Sequence, residues 1–284
     1  MERYLNPVTI PEALELLCQH QGKARIVAGA TDLFLDIEHG KRAPDCLVDI
    51  RRIPELREIR EEEHRIYIGA AVTHSELEHH PLILQHYTAL AQGAAVVGGP
   101  QIRNIGTIGG NVVNAQPAAD TAVPLFSFDA EAVMVQSNGE EVLCPIAELY
   151  AGPGKSTLDS TACLLKGFYL PKSRYTVSGF AREAKRKALA LPMLNAAIAL
   201  RLEDGIIADA ALTAGPVSTL PLRLTEAEQH LIGKKPDAVL FAEAGALAEA
   251  AAAPRDSLLR GSGAYRKELL SVMISRLLDD ITQK

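Results

Sequence analysis

The sequence QIRNIGTIGGNVVNAQPAAD, residues 101–120, is rich in small and amide residues. It combines three glycines with three asparagines and contains one basic residue, Arg103. Gly109 and Gly110 lack side chains, so the backbone there can approach a ligand or adopt a positive φ. Taken alone, the stretch leaves two interpretations open, a structural turn or a loop that binds a ligand.

A second small-residue stretch, IVAGATDL, covers residues 26–33. A strand that leads into Gly29 and Ala30 predicts a tight turn whose backbone N–H groups could hold phosphate oxygens. The alternative is a simple strand-to-helix turn in which Thr31 or Asp32 caps the helix. Two uncharged loops in one chain favour a dinucleotide bound by backbone dipoles, although neither loop has the G-x-G-x-x-G spacing of a Rossmann fold.

Composition excludes several classes of protein. The chain has 284 residues and a net charge of −6, enough for about two domains and without the basic face of a nucleic-acid-binding protein. No apolar stretch reaches the ~18 residues of a membrane span, and the N-terminus lacks the apolar region of a secretory signal, so we expect a cytoplasmic protein. The four cysteines are widely spaced, which disfavours a metal site in this chain.

Hydrophobic periodicity predicts an α+β fold without strict alternation of strands and helices. Predicted helices cover residues 11–20, 33–38, 75–95 (interrupted near Pro81), 238–252 and 264–281. Predicted strands cover residues 24–28, 46–50, 65–70, 130–136, 141–144, 162–170, 177–181, 194–202 and 208–214. The character of the chain changes near residue 174, where we place a domain boundary.

Two further patterns carry less weight. GPGKS, residues 152–156, has Leu149 where a P-loop needs a glycine, and Pro153 removes an N–H group, so a P-loop is excluded. His79 and His80 follow acidic residues in a polar segment that is typical of a solvated surface rather than a metal site. No nucleophile–base pair or pair of carboxylates stands out, so we predict no catalytic side chain.

Taken together, residues 26–33, 101–120, 152–171, 214–233 and 262–278 resemble the FAD-binding medium subunit of molybdenum hydroxylases, the family of xanthine dehydrogenase and aerobic carbon monoxide dehydrogenase flavin subunits. The resemblance covers nearly the whole chain, and IRNIGTIGGN is its most specific motif. It implies a PCMH-type (vanillyl-alcohol-oxidase-like) FAD-binding domain at residues 1–174, with subdomains at about 1–60 and 61–174. A smaller α+β C-terminal domain would occupy residues 175–284.

The resemblance also implies which residues contact a non-covalent FAD. The first loop would wrap the diphosphate with Arg25, Ile26, Val27, Ala28, Gly29, Ala30, Thr31 and Asp32. The second loop would hold it from the other side with Thr107, Ile108, Gly109, Gly110 and Asn111. Asp120, Leu164 and Arg182 match family positions that contact the FAD or lie near its flavin.

The implied function is electron transfer. A large subunit with a molybdenum cofactor would hydroxylate a purine or another heteroaromatic compound, and a small subunit with [2Fe-2S] clusters would pass electrons to FAD in this chain. NAD⁺ or another acceptor would then be reduced, in a complex that we expect to be a dimer of heterotrimers. The alternatives are a self-contained flavin oxidase of the same fold and a scaffold subunit that has lost its flavin.

Two departures from the family pattern concern the predicted site. Ala30 replaces the second glycine of the usual AGGTD loop, which would cost about 1 kcal/mol if this position needs a positive φ. Ala190 stands where the family has an acidic residue near the flavin. We therefore expect an altered backbone geometry at Ala30. We also expect the protein surface that faces the substrate or electron acceptor near the flavin to differ at Ala190.

Overall fold

The computed structural model describes residues 3–20, 22–159, 163–186 and 189–283. Within these residues, a small parallel sheet at the N-terminus precedes two larger antiparallel sheets and a short two-stranded hairpin. Helices connect and cover the sheets without a regular β-α alternation. The α+β class predicted from the sequence is confirmed.

The N-terminal unit contains β1 (Arg3–Leu5), α1 (Ile10–Gln19), β2 (Ala24–Val27), α2 (Leu33–Glu38) and β3 (Cys46–Asp49), with the strand order β1-β3-β2. α1 begins where the Thr9 hydroxyl accepts a hydrogen bond from the N–H of Glu12, with Pro11 in the first turn. β2 and β3 run parallel, so their carboxyl ends meet at one edge. The turn between β2 and α2 emerges at that edge.

The middle unit is an antiparallel sheet with a layer of short helices. Its first elements are β4 (Ile59–Glu61), β5 (Arg65–Gly69), α3 (His74–His79), α4 (Pro81–His86), α5 (Thr88–Ala95), α6 (Pro100–Arg103), α7 (Ile108–Val113) and α8 (Ala122–Ser127). The strands that follow are β6 (Glu131–Gln136), β7 (Glu141–Pro145), β8 (Tyr150–Gly152), β9 (Lys155–Ser156) and β10 (Cys163–Pro171). The sheet order in the described part of the chain is β4-β5-β10-β6-β7.

Sequence patterns predicted most of this unit and missed its short helices. The β6–β7 hairpin turns at Gly139 with a φ of 82°, as the Asn-Gly pair predicted. The predicted 75–95 helix is three helices instead, because His80 before Pro81 takes an extended conformation and Tyr87 interrupts the chain again. For the predicted strand 162–170, Ala162 lies outside the described residues and Cys163–Pro171 forms the strand.

The C-terminal unit contains β11 (Val177–Ala184), β12 (Pro192–Glu203), β13 (Ile206–Gly215), β14 (Leu222–Arg223), α9 (Thr225–Leu231), α10 (Ala238–Ala251) and α11 (Gly263–Thr282). Its strands pair in chain order, β11-β12-β13-β14, in an antiparallel sheet. Leu212, Phe241 and Ile274 belong to the apolar core between this sheet and its helices. The predicted helices and strands of this region are confirmed, and α9 was not predicted.

Buried contacts join the middle and C-terminal units. Every residue of α8 is buried, and the helix packs against β12 and β13. The Ser127 hydroxyl donates to the Ala197 carbonyl at 3.0 Å, and Arg174 and Arg223 both pair with Asp129. The boundary near residue 174 therefore stays a prediction, since the two units share a packed interface.

Candidate functional site

A cavity of about 870 Å³ lies between the N-terminal parallel sheet and the helices of the middle unit. Its walls include the β2–α2 turn, α7, and the β8–β9 hairpin. Thirteen of the sixteen residues predicted to bind the cofactor line it: Arg25, Ile26, Val27, Ala28, Gly29, Ala30, Thr31, Asp32, Thr107, Gly109, Gly110, Asn111 and Leu164. The two loops that lie far apart in sequence are thus brought to one cavity.

The two loops touch each other at Gly29. A Cβ atom at this position would lie 2.1 Å from the carbonyl oxygen of Ile105 and 2.7 Å from the Cα of Gly106, which is closer than real Cβ contacts come. Any residue with a side chain would push the second loop away from the first. The glycine is required here for close approach of two backbone segments.

The first loop presents unpaired backbone donors. In the ranges that the structure describes, the N–H groups of Gly29, Ala30 and Thr31 donate no hydrogen bond within the chain. Asp32 occupies the N-cap position of α2, but its side chain accepts no N–H group of the helix, so the turn is not closed by a capping side chain. A run of free N–H groups in a loop that lines a cavity suits anionic oxygen atoms.

Ala30 adopts a φ of 58°, in the left-handed region that favours glycine. Position 30 therefore does need a positive φ, the case in which alanine in place of glycine is costly. Ala30 carries backbone strain of about 1 kcal/mol. Its carbonyl accepts the N–H of Phe34 at 3.1 Å, which ties the strained residue to the first turn of α2.

The second loop differs because its own N–H groups are already used. Ile108 N–H donates to the Val72 carbonyl at 3.0 Å and Gly109 N–H to the Ala70 carbonyl at 2.9 Å. Gly110 N–H donates to the Thr107 hydroxyl at 3.2 Å. These bonds anchor the start of α7 to the end of β5, and the glycines give access rather than free donors.

Asn111 supplies a side-chain hydrogen-bond donor, which the backbone of this loop does not offer. Its side-chain Oδ1 accepts the Thr121 hydroxyl at 2.7 Å, which orients the amide and leaves its NH₂ group free to donate. Asn111 lines the cavity, as does Asn114 one turn later. The second loop therefore offers side-chain amides to a ligand.

Three predicted residues lie outside the cavity lining: Ile108, Asp120 and Arg182. Ile108 is buried in the core. Asp120 accepts a hydrogen bond from the Asn195 amide at 2.7 Å and lies 3.4 Å from the Arg182 Nε, joining the middle unit to the C-terminal sheet. Burial raises the pKa of Asp120 to about 6, opposed by the Arg182 charge and the Asn195 hydrogen bond.

Arg182 also donates to the backbone carbonyl of Ala190. The family resemblance implied an acidic side chain at position 190. In this chain the Arg182 guanidinium instead donates to the backbone carbonyl of residue 190. The Arg182 Nε is buried and forms no hydrogen bond within the described chain. The pair Asp120–Arg182 therefore joins two units of the fold at the side of the cavity.

Several cavity residues were not predicted. Gly154, Lys155 and Ser156 of the excluded P-loop motif line the wall, because Gly154 N–H donates to the Ala115 carbonyl at 2.9 Å just beyond α7. His74, the first residue of α3, lines it too. Tertiary contacts alone place these residues at the cavity. No motif in the sequence could therefore have predicted them as site residues.

No helix among the described residues combines the length and apolar character that a membrane crossing needs. In the same residues, no group of three or more His, Cys, Asp or Glu side chains is arranged to hold a metal ion. The cavity with its free N–H groups is thus the main chemical feature of the described chain.

Fold and cavity define a chain of the ligand-binding class, and comparison with known proteins identifies its family and its ligand as FAD. Residues 1–173 match the FAD binding domain in molybdopterin dehydrogenase, and residues 180–281 match the CO dehydrogenase flavoprotein C-terminal domain. The chain belongs to the family of FAD subunits of molybdenum hydroxylases, which are oxidoreductases. The resemblance stated from the sequence is confirmed.

Individual relatives share this organisation. The nicotinate dehydrogenase FAD-subunit of Eubacterium barkeri is 33% identical over 81% of this chain and 79% of its own length. The putative xanthine dehydrogenase FAD-binding subunit of Escherichia coli K12 is 29% identical over 98% and 94%. A chain of carbon monoxide dehydrogenase from Hydrogenophaga pseudoflava, which lacks the Mo-pyranopterin moiety of its cofactor, superposes with a TM-score of 0.90 at 29% identity over 98% and 96%.

Proposed function

We propose that this chain binds FAD non-covalently in the cavity between its two loops and relays electrons within a molybdenum hydroxylase complex. The observation that carries the proposal is the contact of Gly29 with the Ile105 carbonyl, which brings the free N–H groups of the first loop opposite α7. The family match supports FAD as the ligand. Neither loop contains a histidine or a cysteine, which supports non-covalent binding.

The residues present fit FAD. A diphosphate needs donors without a side chain in the way, and Gly29, Ala30 and Thr31 offer three consecutive N–H groups. Asn111 adds an amide donor from the facing loop. The cavity volume, about 870 Å³, lies within the range of ~300–1,000 Å³ typical of sites for small molecules and cofactors.

In this assignment the chain orients the cofactor and shields it. The first loop and Asn111 would hold the diphosphate, and buried Leu164 would provide an apolar surface for the ring system. When bound, FAD supplies the exchange of one and two electrons that side chains cannot perform. No side chain of this chain needs to act as an acid or a base, in keeping with the absence of a predicted catalytic residue.

The partners in the proposal are a large subunit with a molybdenum cofactor and a small subunit with [2Fe-2S] clusters, assembled as a dimer of heterotrimers in the cytoplasm. Electrons would leave to NAD⁺ or another acceptor. The substrate class that we propose is a purine or another heteroaromatic compound. Relatives named for nicotinate and for xanthine support this class, because both compounds are nitrogen heteroaromatics.

The decisive experiment purifies the full chain alone and together with its native partners, with analysis of flavin, molybdenum and iron. We expect the chain alone to be yellow, to release FAD on denaturation, and to show no purine oxidation. We expect the native assembly to contain molybdenum and iron in addition.

Each contrary result points to a stated alternative. A colourless chain that cannot take up added FAD would establish the flavin-free scaffold. Oxidation of a purine by the chain alone would establish the self-contained oxidase and overturn the electron-relay proposal.

A further inference from the structure

His74 is the one histidine among the described residues that line the cavity. It is 2% exposed and begins α3, directly after Thr73, whose backbone pairs with Thr107 at the start of the second loop. The N–H of His74 donates to the Gly106 carbonyl at 3.0 Å. The backbone of His74 is therefore tied to the same loop that carries the glycines.

The two ring nitrogens of His74 have different surroundings. Nδ1 is sealed from solvent and has no hydrogen-bond partner in the described chain, whereas Nε2 is not among the sealed atoms. The ring edge that carries Nε2 lies beside Gly106, a residue of the cavity wall, since a Cβ there would lie 3.2 Å from Cδ2 and 3.6 Å from Nε2. Nε2 is thus the nitrogen that a ligand in the cavity can reach.

The proton of the neutral ring belongs on Nε2. Burial lowers the pKa of His74 to about 4, and the nearby charge of Arg103 acts in the same direction. The ring is therefore neutral near pH 7 and carries one N–H. A buried N–H without an acceptor is rarer in proteins than an unsatisfied acceptor, so the proton is better placed on the accessible nitrogen than on sealed Nδ1.

We propose that His74 is a cofactor-binding residue that donates a hydrogen bond from Nε2–H to an acceptor oxygen of FAD, either a phosphate or a carbonyl oxygen. This inference rests on the proposed FAD function and adds a neutral donor to the charge-free donors of the two loops. Burying a neutral donor costs much less desolvation free energy than burying a cation, so a neutral histidine can contribute to FAD binding at this buried position. The hydrogen bond to FAD also gives a role to a buried polar ring that forms no side-chain hydrogen bond within the described chain.

The test compares substitutions that place a donor at different ring positions. His74→Gln puts an amide nitrogen close to the site of Nε2, His74→Asn puts it close to the site of Nδ1, and His74→Leu removes it. The full-length protein is freed of flavin, and its dissociation constant for FAD is measured by flavin fluorescence. Thermal unfolding of each flavin-free variant is recorded alongside.

We expect His74→Leu and His74→Asn to raise the dissociation constant about tenfold, the size of one neutral hydrogen bond, and His74→Gln to stay within about threefold of the wild type. His74→Met replaces His74→Leu if the leucine variant does not fold. His80→Leu is the matched control, because His80 also has a sealed, unpaired Nδ1 but lies outside the cavity lining.

A purely structural role for His74 gives another pattern. Leucine would then leave FAD binding unchanged, or glutamine would weaken it as much as leucine does, and either result overturns the inference. Failure of the wild-type chain to bind FAD would instead overturn the proposed function, so the two failures are distinguishable.

Discussion

The two loops at the cavity have similar compositions, but they differ in whether their backbone N–H groups are hydrogen-bonded within the protein. In the first loop the N–H groups of Gly29, Ala30 and Thr31 donate to no other residue that the structure describes. In the second loop the N–H groups of Ile108 and Gly109 are tied to carbonyls at the end of β5. The first loop is a surface of donors, and the second is a rigid wall that keeps space open.

Small residues therefore serve two separate purposes at one site. Gly29 lets the loops touch, and its neighbours bind through the backbone. Gly109 lies against Ala70, where a Cβ would come within 2.6 Å of a carbonyl oxygen, so this glycine is needed for packing. A glycine-rich motif on its own does not reveal which of these uses applies.

Breaking the contact between the loops has the largest expected effect. Gly29→Ala places a Cβ where the Ile105 carbonyl lies, so the loops must separate. We expect a loss of about 2–3 kcal/mol in the free energy of unfolding and ~100-fold weaker FAD binding, measured by denaturant titration and flavin fluorescence. Gly40→Ala is the control, because Gly40 lies outside the cavity lining, its added Cβ meets no atom within 4 Å, and its φ of 69° costs only about 1 kcal/mol. Equal effects on FAD binding at Gly29 and Gly40 would contradict this assignment.

The segment after the second loop carries a dependence on pH that the first loop lacks. The pKa of Asp120 is raised by burial to about 6, so its contribution to stability is greatest at low pH and is lost as the pH rises through 6. The stability of the wild type relative to Asp120→Asn should fall by about 2 kcal/mol between pH 4 and pH 7. Urea unfolding across this range measures the difference, and a constant difference would refute it.

A negative charge placed in the second loop tests whether this loop faces the diphosphate. Asn111→Asp keeps an oxygen for the Thr121 hydroxyl but replaces the free amide N–H with a negative oxygen that would face the diphosphate. We expect FAD binding to weaken about tenfold at low salt and less at 1 M salt, where screening is strong, with little change in thermal stability. A salt-independent loss would instead indicate disturbed packing.

The smallest expected effect is a gain. Ala30→Gly removes the cost of a positive φ at the strained residue of the first loop, partly offset by the greater freedom of glycine in the unfolded chain. We expect stability to rise by up to about 0.5 kcal/mol and FAD affinity to stay the same, as measured by thermal unfolding and flavin titration. A weaker affinity would show that the alanine side chain itself contacts the ligand.

Local sequence patterns predicted the strands of four or more residues and the long helices at both ends of the chain, because hydrophobic periodicity is a local feature, but they missed the shorter strands. The assignment of both loops to one site rested on their small residues together with the family resemblance. Local patterns did not predict that α7 is a helix with its first N–H groups bonded to Ala70 and Val72, since those partners lie some forty residues earlier. Lys155 and His74 reach the cavity only through tertiary contacts. The pairing of Asp120 with Arg182 likewise depends on how the C-terminal sheet packs.

The burial of α8 has a consequence for how the chain can be divided. This helix lies before residue 174, yet its residues Ala122–Ser127 are buried in part by strands that follow that position. A fragment that ends at residue 174 would expose the face of α8 that normally meets β12 and β13, and the remaining C-terminal fragment would expose the complementary sheet. The unfolding of the intact chain should accordingly be a single cooperative transition in calorimetry, and the two halves should be soluble only when they are produced together.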